Sequence, residues 1–257
     1  MDIFHQPTRS WFFDGLNGLL NMEGRMMKIQ YELKDHVAQL TMDDGKANAM
    51  DWVFFQEMGD TLDRIEKERA RVLIIRGRPD FFSGGLDLNL VPTLSPDELN
   101  TFGQIFSQTM VRIFSFPVPT IAVCTGHSVA GGAILAFSCD LRLIVDGPYL
   151  IQMNEMLMGI PMPSWLLLLC RSAIPQQWHM EALLHARAYT PSEAVERGLF
   201  HGLYANVDGI MAEARARSEA LKLLNPHAYY TTKKRMRGPD MEHALALYRE
   251  ELPTKVD

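Results

Sequence analysis

The sequence predicts an α/β domain built on parallel strands and closed on its C-terminal side by helices. Three observations carry that prediction. Strand runs such as Arg71–Arg76 and Thr120–Val123 alternate with amphipathic helical patterns, an order that favours parallel pairing through right-handed crossovers. Helix starts are marked by capping boxes at Ser95 to Glu98 and Thr190 to Glu193, each with proline at the first helical position. Beyond Glu155 the strand pattern thins and helical patterns dominate.

Taken in order, Met1 to Arg25 mixes aromatics, glycines and charges without a basic start and apolar run, so it reads as a leader or extension outside the fold. An amphipathic partner-binding segment over Trp11–Leu20 is the sharper alternative. From Lys28 to Met42 the alternation is that of a β-hairpin, with Lys34-Asp35-His36 at its turn. Asp51 is placed to cap a helix running to Glu68, with Phe54, Met58, Leu62 and Ile65 on one face. After strand 71–76, Ser83-Gly84-Gly85 predicts a tight turn and Leu86-Asp87-Leu88 the start of a short helix. A helix from Pro96 to Phe116 is ended by Pro117 and Pro119. The stretch from Val118 to Glu155 then reads as a strand, a glycine-marked turn over 126–132, a short apolar helix to Ser138, and two further strands ending at a carboxylate. Helices follow over Trp165–Arg171, Pro175–Leu184 and 190–198, then a short strand at Leu203-Tyr204. Three more helices are expected at Val207–Leu224, Tyr229–Arg237 and Met241–Glu251, the last two split by Gly238-Pro239. The organisation predicted is a core over 26–205 and a helical C-terminal region over 206–257.

Composition narrows the function. An apolar content of 47% over 257 residues supplies a sizeable core, and a net charge of −6 argues against broad nucleic-acid binding while leaving an anionic small ligand open. No run approaches the ~18 apolar residues of a membrane span, so no membrane partner is expected. Cys124, Cys139 and Cys170 lie in apolar segments without metal-ligand spacing and read as buried reduced thiols. Neither the dinucleotide GxGxxG nor the phosphate loop is present, the eight histidines lack HExxH spacing, and Ser128 lacks the following glycine of a nucleophile elbow. No metal site is predicted.

What remains is a helix start and an acid. The N–H groups at Gly131-Gly132 lack intrahelical partners, and glycines let another molecule approach them. Such donors answer a developing oxyanion. Close helix packing is the competing explanation for the glycine pair, as a surface position is for Glu155.

Five segments together carry a resemblance: KANAMD at 46–51, FFSGGLDL at 81–88, GHSVAGGAILAFSCD at 126–140, NEMLMGI at 154–160 and YTPSEAVERGLF at 189–200. In this order and spacing the chain resembles the crotonase, or enoyl-CoA hydratase/isomerase, superfamily from Lys28 to about Asp208. The resemblance implies a crotonase-like fold of repeated ββα units with a helical C-terminal extension. It also implies an acyl-CoA thioester as substrate, with no separate cofactor, and assembly as a homotrimer or dimer of trimers. By position, the oxyanion donors would be the backbone N–H groups of Leu86 and Gly131. Ala47, Asn48 and Ala49 would line the CoA and acyl groove, with Lys46 placed to meet a CoA phosphate or to remain a solvated lysine. Gly85 and Asp87 would shape the turn beside the donor. Ile134, Pro161 and Trp165 would line the acyl side, a core tryptophan being the alternative for Trp165.

One departure decides the expected chemistry. Hydratases of this family carry a second glutamate three residues after the oxyanion-hole glycine, where this chain has Ile134. A single acid at Glu155 suits proton transfer from one carbon to another, as in the similar 3,2-trans-enoyl-CoA isomerase branch. Its pKa is expected to be raised by Ile134, Met156 and Leu157. The alternatives are an acyl-CoA-binding protein without turnover and a hydratase using another group. No peroxisomal tail or Arg-rich leader is seen, so the cytoplasm is the expected location.

Overall fold

The computed structural model describes residues 27–251, with backbone alone at Arg249 and Glu250. The expectations for residues 1–25 therefore lie outside the described residues. Strands β1 (Ile29–Lys34) and β2 (Val37–Met42) form the hairpin, turned at Asp35 and His36 with φ of 49° and 64°. A two-residue strand β3 (Ala49–Met50) leads into α1 (Trp52–Lys67), whose first turn is capped by the Asp51 carboxylate accepting from the Phe54 N–H at 2.9 Å. Next come β4 (Val72–Arg76), β5 (Asp80–Ser83), β6 (Gly85–Leu86) and α2 (Pro96–Phe114), which opens on the Ser95–Glu98 capping box. Then follow β7 (Thr120–Cys124), β8 (Gly126–Val129), α3 (Gly131–Ser138), β9 (Leu141–Val145) and β10 (Ile151–Gln152). The rest is α4 (Ser164–Ala173), α5 (Pro191–Glu196), β11 (Leu203–Tyr204), α6 (Val207–Leu221) and α7 (Pro226–Glu251).

The main sheet has the order β1-β2-β4-β7-β9-β11 and is parallel except for the opening hairpin. Alternation along its strands sorts side chains between two layers. Val72, Ile74, Ile121, Val123 and Leu143 pack under Ile210, Met211 and Ala214 of α6. Leu73, Ile75, Ala122, Cys124 and Ile144 face the larger core, shared with α1, α2, α3 and α4. A second sheet, β10-β8-β5, is wholly parallel, and β3 pairs with β6.

Four expectations are corrected. Residues 126–129 form strand β8 rather than a turn, because pairing with β5 and β10 outweighs the local glycine signal. Leu86-Asp87-Leu88 does not open a helix: Leu86 pairs with Met50 in the β3–β6 bridge, and only a short 3-10 turn follows at Val91–Thr93. Residues 175–184 form a 3-10 turn over Gln176–Trp178 and a π-helical turn over Met180–Leu184 instead of one α-helix. The two predicted C-terminal helices are a single helix α7 that runs through Pro239. Proline removes one ladder bond there, but buried contacts on both sides hold the helix together, Lys233 before it and Met241 after it.

Two polar joints fix the C-terminal end of α3. The Asp140 carboxylate accepts from the Thr120 N–H and hydroxyl, from the Tyr229 hydroxyl, from Lys233 and from Arg237, tying α7 to the core. Burial alone would raise its pKa, but Lys233 and Arg237 hold it below the usual carboxylate value. Arg142, also buried, has no carboxylate in contact among the described residues. Its guanidinium donates to the carbonyls of Leu199, Cys139 and Ala173 at 2.8, 3.0 and 3.2 Å. The last residue of α4 and the segments just past α3 and α5 thus converge on one cation, where helix dipoles favour positive charge.

Candidate active site

The site forms where α3 begins. All eight residues of α3 are buried, and the helix is entered through Ala130 at φ 47°, a conformation that costs an alanine energy and persists because its surroundings hold it. The Ala130 N–H donates to the Gln152 carbonyl at 2.8 Å, so β10 locks the residue immediately before the helix.

Gly131 and Gly85 meet face to face. Gly85 has φ 91°, and a Cβ on it would lie 2.8 Å from the Gly131 nitrogen; a Cβ on Gly131 would lie 3.2 Å from the Gly85 Cα and 3.5 Å from the Leu86 nitrogen. The two nitrogens of the predicted oxyanion pair are therefore neighbours. In the parallel β3–β6 bridge the Asp87 N–H donates to the Met50 carbonyl at 3.0 Å, which directs the adjacent Leu86 N–H away from β3. Gly131, as the first residue of α3, has an N–H outside the intrahelical ladder. Gly132 has a different duty: a Cβ there would fall 2.0 Å from the Ser83 carbonyl oxygen, so this glycine lets α3 pack on β5.

The loop before β3 is built by its own side chains. Asp44 accepts from the N–H groups of Lys46, Asn48 and Ala49 at 2.8, 2.9 and 3.0 Å. Burial works to raise its pKa, but these donors and Lys28 bring it below the usual value. Asn48, at φ 51° and buried, donates through Nδ2 to the carbonyls of Met42 and Phe82, each at 3.0 Å, and accepts from the Asp44 N–H. Its side chain is thus committed to the protein. Ala47 holds the Gly84 N–H through its carbonyl at 2.8 Å, and Lys46 is exposed. Asp87 accepts from the Asn89 N–H at 2.8 Å and so closes the turn after the Leu86 donor.

Glu155 lies three residues beyond Gln152, the residue bonded to Ala130, so the same strand that fixes the helix start delivers the acid. Its backbone carbonyl accepts from Met158 and Ile160, making a tight turn. Glu155 is only 8% exposed, and among the described residues its Oε2 has no hydrogen-bond partner. Burial raises the pKa, partly offset by the residue's own N–H. The expected source needs one correction: Leu157 is 69% exposed and contributes no apolar wall. Cys170 of α4 is instead close enough for its thiol to be pushed upward by Glu155, after burial as the main cause. Ile134 is buried one turn into α3, Trp165 is buried with no partner for its indole N–H among the described residues, and Pro161 is exposed.

Sequence reading missed Asp44, Ser83 and Met50. Ser83 donates to the Asn48 carbonyl at 2.8 Å and accepts from the Gly85 N–H at 3.1 Å, while Met50 places its sulfur 3.3 Å from a Cβ on Gly131. The Asp-x-x-x-Asn spacing from 44 to 48 is the sequence signal that could have found the loop. Among the described residues no group of three or more His, Cys, Asp or Glu side chains is arranged to hold a metal, and no helix is long and apolar enough to cross a membrane. The described site thus holds two neighbouring backbone nitrogens at a helix start and a poorly solvated carboxyl, groups of the kinds that answer a developing anion and carry a proton.

Comparisons with known proteins bear on the family and the fold. The family described as enoyl-CoA hydratase/isomerase matches residues 32–251. The human mitochondrial enoyl-CoA delta isomerase 1 is 27% identical over 78% of this chain and 67% of its own length. A probable enoyl-CoA hydratase from Bacillus subtilis is 33% identical over 52% of this chain and 53% of its own. The crystal structure of an enoyl-CoA hydratase/isomerase family protein from Pseudomonas syringae superposes with a TM-score of 0.83 at 30% identity, covering 89% of this chain and 98% of that one. With that match spanning nearly every described element, the chain belongs to the enoyl-CoA hydratase/isomerase family.

Proposed function

We propose that the protein is an acyl-CoA isomerase that converts 3-enoyl-CoA to trans-2-enoyl-CoA with Glu155 as its one proton carrier. The observation that carries this reading is the buried carboxyl of Glu155, whose Oε2 has no partner among the described residues, taken with a buried isoleucine at 134, where the resemblance puts a hydratase's second acid. The carboxylate removes a proton from C2, negative charge moves onto the thioester oxygen, and the N–H groups of Leu86 and Gly131 receive it. The dienolate collapses as the same carboxyl returns a proton to C4. A raised pKa suits both halves of this transfer, since the group must give up the proton it has taken. The CoA thioester is itself the substrate. Lys46, exposed at the rim of the Asp44–Asn48 loop, meets a phosphate of the CoA, and Ala47 and Ala49 present backbone to the pantetheine arm. Assembly as a homotrimer or dimer of trimers belongs to the same reading.

Hydration is the second reading, favoured by the hydratase relative. Water addition needs a group that activates water while Glu155 protonates carbon, and the wall at Ile134 supplies none. Purified protein is to be assayed with 3-hexenoyl-CoA and with 2-hexenoyl-CoA, alongside Glu155→Gln. Isomerisation by the wild type and a loss of at least ~10³-fold in the variant is the expected result. Absence of turnover, an unimpaired variant, or hydration as the faster reaction would overturn it.

A further inference from the structure

Helix α7 is antiparallel to α2 and bridges to it by side chains at two levels, Arg237 at Phe114 and Tyr248 at Gly103. The Ser138 hydroxyl donates to the Met110 sulfur at 3.8 Å, and Arg237 donates to both the Phe114 carbonyl and Asp140, so α2 and α3 end side by side. Gly131 lies seven residues before Ser138, as Gly103 lies seven before Met110. At ~1.5 Å per residue both sit about 10 Å back along their helices. The Tyr248 hydroxyl is 3.0 Å from where a Cβ on Gly103 would stand. Tyr248 is eleven residues beyond Arg237 and Gly103 eleven before Phe114, the match that antiparallel neighbours require.

The two halves of α7 do different work. Before Gly238-Pro239, the side chains of Tyr229, Lys233 and Arg237 all bond to Asp140. After it, Met241, Ala244, Leu245 and Tyr248 form an apolar inner stripe packed with the core. Tyr248 stands edge-on to Trp165 at 6.2 Å, and Trp165 edge-on to Phe106 of α2 at 5.6 Å. Glu251 fixes the end of the stripe by accepting from the Ser164 N–H at 2.9 Å and from its hydroxyl, at the first residue of α4.

We propose that Tyr248, braced on Trp165, is the stop that limits acyl length in this subunit's own site, so that the protein takes short acyl groups. The inference rests on the acyl-CoA reading above. Without a stop, a longer chain binds tighter by burying more methylenes. With one, the added carbons must displace packed rings.

The test is calorimetric binding of hexanoyl-CoA and dodecanoyl-CoA, which are saturated and unreactive, to the full chain and to Tyr248→Leu and Tyr248→Ala. The wild type is expected to prefer hexanoyl-CoA by about tenfold or more, and the variants to shift that ratio at least tenfold toward dodecanoyl-CoA, alanine more than leucine. Equal or tighter dodecanoyl-CoA binding by the wild type overturns the proposal. So does an unchanged ratio in a variant whose circular dichroism is native, since general loosening weakens both ligands alike. If the folded wild type binds neither ligand, the acyl-CoA reading itself has failed, an outcome distinct from a failed length preference.

Discussion

Replacing Gly85 by alanine, with Gly84→Ala as its control, separates the site geometry from ordinary loop tolerance. At Gly85 two penalties coincide. The φ of 91° lies where an L-residue pays ~1–2 kcal/mol. The new methyl would also stand 2.8 Å from the Gly131 nitrogen, 3.0 Å from the Val129 oxygen and 3.1 Å from the Ala130 Cβ, so backbone has to move, at about 1–3 kcal/mol for overpacking. The sum is roughly 2–5 kcal/mol, which for a chain of this size lowers Tm by about 4–20 °C. At Gly84 the nearest atoms are 3.5 and 3.6 Å away, both on Ala47, and φ is ordinary, so its alanine should melt within a degree or two of wild type. On activity, the Gly85 methyl separates the two donors, and loss of one oxyanion contact lowers kcat by ~10²–10³-fold. Differential scanning calorimetry and the 3-enoyl-CoA assay read the two effects independently. If Gly85→Ala keeps turnover within a few-fold of Gly84→Ala while melting lower, the Leu86 and Gly131 N–H groups are not the oxyanion donors. If it melts like wild type, the face-to-face glycine contact itself is wrong.

Four further outcomes follow from the polar groups. The Glu155 pKa is raised in the folded chain, so the native state holds its proton to higher pH than the unfolded one, and stability falls as pH rises from the ordinary value of 4.5 through the folded value. Glu155→Gln should therefore be more stable than wild type at pH 8 and lose that advantage near pH 4, as urea titrations at both pH values will show. The acid limb of wild-type kcat/KM should have its midpoint above 4.5. Asp140 has the opposite sign: its folded pKa is lowered, so its stabilisation is complete above 3.8 and drains away as pH falls through the folded value. Asp140→Asn leaves Lys233 buried with its charge uncompensated and should cost ~3–5 kcal/mol in urea unfolding, with α7 the first segment to gain hydrogen exchange. Arg142→Met strands the carbonyls of Leu199, Cys139 and Ala173 and should cost about 3 kcal/mol or more, with lysine recovering only part because it cannot present a planar fork to all three.

Legibility in the sequence followed the range of the interactions. Capping boxes are local, so Ser95–Glu98 and Thr190–Glu193 were read directly and appear with their reciprocal bonds. The continuous apolar runs of β4 and β7 are local too, and they mark the parallel core. Strand β8 was hidden because Gly126 and His127 carry no strand preference; only pairing with β5 and β10 makes them extended. The same holds for Leu86, whose register with Met50 joins segments 36 residues apart in the chain. At the site, Gly131 and Glu155 were visible as residue types in a familiar order. Their neighbours Asp44 and Ser83 were not, since hydrogen bonds to loop backbone leave no periodicity. Helix α7 defeated the local rule outright: Pro239 reads as a break, yet Lys233 and Met241 are both buried on either side of it.

The isolation of the Glu155 carboxyl has a consequence for isotopes. Among the described residues, its Oε2 has no hydrogen-bond partner that could carry a hydrogen away. A hydrogen lifted from a ligand onto that oxygen has the ligand as its nearest acceptor, and exchange with bulk water must wait for the surrounding turn and α4 to part. Substrate labelled with deuterium at C2 should then keep a sizeable share of label at C4 in product formed in ordinary water. On the proposed reaction, the unpartnered oxygen would make the protein a keeper of the particular nucleus it moves.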